Sequence, residues 1–314
     1  MNIRQIASGN ANTALLLERM LRYSPLLDLY VEFFQGSGDA TSQRKEQDGV
    51  SAEARALDSP YTGEVLSPSY FTSGRKLIGE EIKVDVAREL MGSDIPSEFT
   101  AQLSRLAPGL ANIFNDTLVN GDSAITPTQF NGLKKLSTGG QIITAAANGL
   151  EVILGNSDNA RASQQEFLER LDEVIATCKG INKVVILNGK ALSRLNTIAR
   201  EYIQYTDTTF GKKIPVYNGV PLVDIEANGQ TVLPFNETVG TSADTCSLYV
   251  ASFEERAGFS FFTTREGLKA YDMVQQSNFY KSHVDFILDS ALYRDKAVAR
   301  LKGLKFAAYV PPVE

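Results

Sequence analysis

The stretch Val119–Leu136, VNGDSAITPTQFNGLKKL, decides how this chain is organised. It carries two Asn-Gly pairs, Asp122, several hydroxyls, Pro127 and the pair Lys134-Lys135. A calcium loop, a phosphate cradle and a junction between two structural blocks all fit that composition. An EF-hand loop needs oxygen ligands at positions 1, 3 and 5, glycine at 6 and a bidentate glutamate at 12. With Gly121 at position 6, position 3 is Leu118 and position 12 is Pro127, so the register fails. A P-loop needs a first glycine five residues before its Gly-Lys pair. The nearest such text, ILNGKALS around Gly189-Lys190, has Val184 there. The junction reading remains: Gly121 is expected to end a helix as a left-handed cap, and Asn131-Gly132 to form the next turn.

Upstream lies the strongest helical pattern in the chain. Phe99, Leu103, Leu106, Leu110, Ile113, Phe114 and Thr117 recur at spacings of three and four, which places them on one face. Ser93 or Asp94 can cap the start and Pro96 suits the first turn. A helix over 96–120 would be roughly 37 Å long at 1.5 Å per residue. Pro108 inside it is expected to kink or break it. Further upstream, residues 11–22 read as a short amphipathic helix and LLDLYVEFF (26–34) as extended chain. Residues 36–59, GSGDATSQRKEQDGVSAEARALDS, are small, polar and charged and cannot supply a core of their own. Strand-like text on both sides makes this a long β-hairpin arm rather than a domain boundary.

Downstream, the pattern alternates. QIITA reads as a strand, 164–178 as a helix, KVVILN as a buried strand, 190–205 as a helix, and KKIPVYNGVPLVDIE as a hairpin turning at Asn218-Gly219. TVLPF, CSLYVASF and GFSFFTT are strand-like. The closing segment reads as strand, turn, a short helix over 295–301, and strand. The arm, the long helix and the late strands are expected to share one domain, with the 140–230 block inserted. The fold class is α+β.

The 314 residues allow one elaborated domain or two. A hydrophobic fraction of 43% and a charged fraction of 22% are ordinary for a folded chain. The net charge of -6 argues against a surface that grips nucleic acid through clustered cations. Cys178 and Cys246 read as buried reduced thiols. No secretory signal and no apolar run long enough to span a membrane is read. The lone histidine, His283, sits in an alternating strand-like run and reads as structural. No catalytic, cofactor-binding or metal-ligating residues are assigned, and no cofactor is expected.

Several phrases together, in this order, resemble the major capsid proteins of tailed bacteriophages, the Hong Kong 97-like fold. They are IFNDTLVNGDSAITPTQFNGLKKL, VVILNGKALSRLNTIARE, VYNGVPLVDIE, TVLPFNETVGTSADTCSLYVASF and ARLKGLK, and the likeness runs from about residue 25 to 305. The resemblance implies an N-terminal arm over 1–30 and an extended E-loop over 31–76. It implies a peripheral domain over 77–129 and 236–285, with its spine helix at 96–120, and an axial domain over 130–235 and 286–314. It implies a coat protein that assembles into hexamers and pentamers of an icosahedral shell enclosing double-stranded DNA. The expected partners are copies of itself, a portal, and separate scaffolding or decoration proteins. The expected place is the virion, after assembly in the host cytoplasm. Arg44, Lys45, Glu46, Asp48, Arg55 and Arg75, in or beside the arm, are the candidates for contacts between subunits. An encapsulin-like compartment shell of the same fold is the alternative. A soluble α/β enzyme is a third reading and requires carboxylates converging in a pocket of the 140–230 block.

Overall fold

The computed structural model describes residues 1–7, 9–36, 40–45, 54–60, 69–207, 210–226 and 229–307. The chain opens with helices α1 (Ile3–Ile6), α2 (Ala11–Tyr23) and α3 (Pro25–Leu29) and strand β1 (Phe33–Gln35). A hairpin of β2 (Ala40–Arg44) and β3 (Tyr70–Gly74) leads into β4 (Lys76–Asp85), the helical turn α4 (Ala87–Leu90) and the long helix α5 (Ile95–Asn120). Then come α6 (Leu133–Leu136), β5 (Ile142–Thr144), β6 (Leu150–Val152), α7 (Asp158–Thr177), β7 (Lys183–Leu187) and α8 (Gly189–Ile198). Strands β8 (Ile203–Asp207), β9 (Lys213–Tyr217), β10 (Val220–Asp224), β11 (Glu237–Val239) and β12 (Ser242–Ser252) follow. The chain closes with β13 (Phe259–Ala270), β14 (Val274–Gln276), β15 (Phe279–Leu292) and β16 (Val298–Phe306).

Helix α5 forms for the reasons its sequence gives. Phe99, Leu103, Ala107, Leu110, Phe114 and Leu118 are buried along one face, while Ile113, expected there, is 50% exposed. The helix runs through Pro108 unbroken. Its end differs from expectation. Gly121 has φ -57 and is not left-handed. What requires glycine is space: a Cβ on Gly121 would lie 2.3 Å from the Phe130 carbonyl oxygen, and one on Gly132 would lie 2.6 Å from that of Thr117. Between them Gly132 N donates to Gly121 O at 2.8 Å, so the chain folds back directly against the helix end.

A five-stranded sheet runs β1-β13-β15-β14, with β4 on the other side of β15. A nine-stranded sheet runs β5-β16-β12-β7-β10-β9-β8, with β11 against β12 and β6 against β16. The β2–β3 hairpin stands outside both. The strands of β12 were expected beside the spine helix, in a block beginning at 236, but they pair with β7 and β16 in the nine-stranded sheet. Conversely β15 stays in the five-stranded sheet to Leu292, past the expected boundary at 285. The reason is length: β15 is a 14-residue strand whose two ends serve β14 and β13, and the chain changes sheet only at the turn after it.

Both faces of the nine-stranded sheet are covered, which explains the continuous apolar run KVVIL in β7. Val184 and Ile186 join the core beneath α5, whereas Val185 and Leu187 join a second core beneath α7 and α8. In β12, Tyr249 and Ala251 face the first core and Leu248 and Val250 the second. In the first core the Phe114 ring lies 6.2 Å from Phe130, 5.5 Å from Phe261 and 5.9 Å from Phe286.

Other local expectations are revised. Leu26–Leu29 is helical, because Ser24 accepts from Leu27 N and Pro25 starts the turn. The helix beginning near 190 stops at Ile198, and 203–207 forms a strand that pairs with β9. TVLPF is not a strand: the Val232 and Leu233 amides donate to Glu226 Oε1, both at 2.7 Å. The helix expected over 295–301 is one 3-10 turn, Asp295–Ala297, after which β16 begins. The hairpin at Asn218-Gly219 forms as read, with φ 48 and 78 at its two central residues.

Two glycines of α5 and its end test this account. Gly121→Ala should destabilise the fold by about 1–3 kcal/mol, the cost of forcing atoms into filled space. Gly109→Ala meets nothing within 4 Å and should stabilise by about 0.5–1 kcal/mol as an ordinary helix substitution. Urea unfolding of the two variants checks the contrast, and equal midpoints would contradict it.

Candidate functional site

The polar arm has an apolar root. Phe34 on β1 lies 5.3 Å from the Phe262 ring and 5.6 Å from Tyr293. Phe71 on β3 meets Tyr293 edge-on at 5.1 Å. These side chains form a small cluster separate from the two large cores. Polar contacts fix it further: Gly74 N donates to Asp289 Oδ2 at 2.7 Å, and Tyr293 Oη to Gln43 Oε1 at 3.3 Å. Each aromatic pair of this kind is worth about 0.5–1.5 kcal/mol beyond its buried area. The arm is therefore held to the body at its base by rings from β1, β13 and the end of β15.

The candidate residues divide by position. Arg75 belongs to the root: Nη2 donates to Gly36 O at 2.7 Å, and the guanidinium lies 5.1 Å over the Phe262 ring. Arg44 ends β2 opposite Tyr70, and its side chain is exposed. Lys45 reaches back to the body, with Nζ 2.7 Å from Asp295 Oδ1. Arg55 donates to the carbonyls of Ala56 and Ser59 at 3.4 and 3.0 Å. Glu46 and Asp48 lie outside the described residues. The structure thus places Lys45 and Arg75 against their own chain.

Sequence reading missed Tyr293, Asp289 and Asp295, which receive the arm. All three lie in LDSALYRDKA, where the strand was expected to end early and a helix to begin. Alternation of buried positions holds from Ser282 to Leu288 and is lost beyond it, so the sequence carries no clear signal that strand pairing continues to Leu292.

Beneath the arm's base lies a cavity of about 650 Å³. Lys45 and Ser69 from the arm, Thr138 to Gln141, the end of α7, and Arg294 to Lys296 surround it. Hydrogen bonds tie its walls: Lys179 N donates to Lys296 O at 2.7 Å and the Gln141 side chain to Asp295 O, while Lys45 N donates to Ser69 O at 2.8 Å within the arm.

Elsewhere the residues that drew attention in the sequence are occupied structurally. Asp122 accepts from Ala124 N at 2.9 Å and pairs with Lys135 at 3.0 Å, and that backbone hydrogen bond, then Lys135, holds its carboxyl below the usual range. His283 stacks on Tyr271 at 4.0 Å. Among the described residues no group of three or more His, Cys, Asp or Glu is placed to hold a metal, and no helix is long and apolar enough to cross a membrane. A cavity of about 480 Å³ on α8 is lined by Ser193, Asn196, Thr197, Arg200 and Tyr205 together with Gly189 and Leu192. That is not the convergence of carboxylates an enzyme reading requires.

No protein-family model matches the sequence, and no curated protein matches it. Solved structures do. The chain is similar to the SrpI encapsulin from Synechococcus elongatus, with a TM-score of 0.60 at 12% identity over 97% of this chain and 94% of that one. It is similar to the capsid of a native GTA particle, with a TM-score of 0.59 at 15% identity over 92% and 90% of the two chains. The capsid of the cyanophage P-SCSP1u gives 0.53 at 13% identity over 90% and 88%. The fold is the α+β Hong Kong 97-like fold.

Two outcomes follow from this geometry. Tyr293→Ala removes the ring contacts to Phe34 and Phe71, so trypsin should cleave in the arm about tenfold faster, the factor carried by roughly 1.4 kcal/mol of local opening. Unchanged cleavage would mean the root does not hold the arm. Burial pushes the Cys178 and Cys246 thiols up to about 12. Unfolded thiols ionise near about 8.5, so the folded chain holds the extra protons and stability is lost as pH rises from there towards 12. The urea midpoint should fall across that window, and less steeply when both cysteines are alanine.

Proposed function

We propose that this chain is the major capsid protein of a tailed bacteriophage. On this reading it assembles into hexamers and pentamers of an icosahedral shell around double-stranded DNA. The observation that carries the reading is the whole-chain likeness to a GTA particle capsid and a cyanophage capsid, joined to a charged hairpin whose base is anchored to the body. Copies arranged around an axis meet through two different surfaces, and such head-to-tail contacts close into rings. A hairpin outside both sheets is suited to that task, because it can lie on a neighbour without disturbing either core.

The parts take the following roles. Residues 1–30 are the N-terminal arm, 31–76 the E-loop and α5 the spine helix. The five-stranded sheet forms the peripheral domain and the nine-stranded sheet, β12 included, the axial domain. Arg44, Lys45, Glu46, Asp48 and Arg55 supply charge for contacts between subunits. Arg75 serves the root. Exposed ion pairs contribute about 0–1 kcal/mol each, so such a shell gains its stability from repetition. A net charge of -6 suits enclosing DNA without gripping it. A portal and separate scaffolding or decoration proteins are the further partners, and the virion, assembled in the host cytoplasm, is the place.

The likeness to an encapsulin favours a second reading, a compartment shell that carries protein. Negative-stain electron microscopy of the purified chain, with the nucleic-acid content of any particles, tests both. DNA-filled shells from infected cells support the capsid. Protein-filled shells would move the assignment to the compartment, and a chain that stays monomeric with scaffold supplied would end both.

A further inference from the structure

An asparagine followed by glycine is the least durable asparagine chemically, because glycine has no side chain to shield its amide nitrogen from the neighbouring carboxamide. The chain contains six such pairs, at Asn120, Asn131, Asn148, Asn188, Asn218 and Asn228. Loss of the side-chain amide begins when the glycine N–H gives up its proton and the nitrogen reaches the asparagine Cγ. An N–H held in a hydrogen bond is protected from that step, as it is from hydrogen exchange. Three glycines are held in this way: Gly121 N donates to Thr117 O at 2.9 Å, Gly132 N to Gly121 O at 2.8 Å and Gly149 N to Ala146 O at 3.0 Å. The asparagines before them are held too. Asn120 Nδ2 donates to Asp116 Oδ1 and Val232 O, both at 2.9 Å, Asn131 Oδ1 accepts from the Ser123 amide and hydroxyl, and Asn148 Oδ1 accepts from Thr241 N. Asn188 is buried, accepting from Ala191 N at 2.8 Å and donating to Leu233 O at 3.1 Å. Asn228 lies outside the described residues. Asn218-Gly219 differs. Both residues are exposed at the tip of the β9–β10 hairpin. Among the described residues no acceptor meets the Gly219 N–H, and nothing stands within 4 Å of where a Cβ would be. The Asn218 side chain is held by one exposed hydrogen bond, from Nδ2 to Asp172 Oδ1 at 3.2 Å.

We propose that Asn218 is a self-modification site, which deamidates in the folded chain ahead of the other described Asn-Gly pairs and thereby releases the hairpin tip from α7. Water is the one co-reactant. The Gly219 nitrogen, its proton lost to solvent, attacks Asn218 Cγ. The bond from Cγ to Nδ2 breaks, and ammonia leaves with a proton taken from water, so a five-membered succinimide remains. A water molecule then opens that ring at either carbonyl and leaves aspartate or isoaspartate at 218. Nothing is oxidised or reduced. Either product places a second carboxylate beside Asp172. Asp172 ties the hairpin to α7 with both oxygens, accepting from Tyr217 Oη at 3.3 Å and from Asn218 Nδ2. Replacing the amide donor by a carboxylate turns one of those hydrogen bonds into a like-charge contact. Isoaspartate in addition lengthens the backbone by one carbon inside a two-residue turn, whose geometry admits no such insertion. The inference stands on the subunit alone and does not depend on the shell reading.

The test is incubation of the full, unaltered chain at mildly alkaline pH, followed by digestion and mass spectrometry that resolves aspartate from isoaspartate. In the folded chain the deamidated fraction at Asn218 should grow about tenfold faster than at Asn120, Asn131, Asn148 or Asn188, which tracks the protection of their amides. In urea, where that protection is gone, the five rates should come together. A folded chain in which any of those four asparagines reacts as fast as Asn218 would overturn the inference. So would a preference for Asn218 that persists unchanged in urea, since the cause would then lie in neighbouring residues and not in the fold. Asn218→Asp installs one of the two products directly. It should speed hydrogen exchange across the β9–β10 turn while the melting temperature of the subunit changes little. Exchange as slow as in the unaltered chain would show that the tie to α7 survives the new charge, and would overturn the proposed release.

Discussion

Gly132 N donates to Gly121 O across a gap that no side chain can enter, and the path of the chain after the long helix depends on that contact. The segment that follows the 26-residue helix must return against it to bring Phe130 to Phe114. With a Cβ at either glycine the two backbones would be pushed apart, and Phe130 and Leu133, both fully buried, would leave the core together. The contact costs the conformational freedom of two glycines in the unfolded chain. What offsets it is the burial of two large apolar side chains, each worth about 1.5–3 kcal/mol, and the ordering of everything from α6 onward.

The second constraint is the nine-stranded sheet, which serves as a wall shared by two cores. Because successive side chains point to opposite faces, β7 and β12 fasten α5 on one side and α7 and α8 on the other. Polar ties complete the joint between α5 and the block beyond it. Ser24 Oγ donates to Asn115 Oδ1 at 2.9 Å, Asn115 Nδ2 to Ile225 O at 3.3 Å, and Asn120 Nδ2 to Val232 O at 2.9 Å. The two amides stand on one helix and satisfy carbonyls at the end of β10 and in the loop after it. Buried carbonyls left unpaired would cost about 1–3 kcal/mol each, so the helix, the N-terminal turn and the loop are fastened at the same joint.

How much of this was legible depends on the kind of signal. Helix α5, the N-terminal helix α2, the strand KVVIL and the Asn218-Gly219 turn are each set by local periodicity or local backbone preference, and they were readable. Gly121 was recognised as a helix end but for the wrong cause, because a close approach by Phe130 is a long-range fact with no trace in neighbouring residues. Ile203–Asp207 continued a helical pattern until pairing with β9 overrode it. The sheet that β12 joins was not legible, because a strand buried on both faces carries no local mark of which strands it pairs with. The arm itself was visible from composition, whereas its seat was not. Tyr293 and Asp289 become a seat only when β15 extends to Leu292 beside β13.

That asymmetry has a physical origin that bears on assembly. The seat is aromatic and enclosed, so its contribution survives salt and is fixed within the subunit. The Lys45–Asp295 pair beside it is partly exposed, with Asp295 largely in solvent, where such a pair is worth about 0–1 kcal/mol. On the shell reading proposed above, a subunit made this way sets the direction of the arm's base by itself. Contacts between copies then need no strong pair and no sequence motif, only modest complementarity repeated at every subunit, which is why residues that serve such contacts leave so little mark in a single sequence.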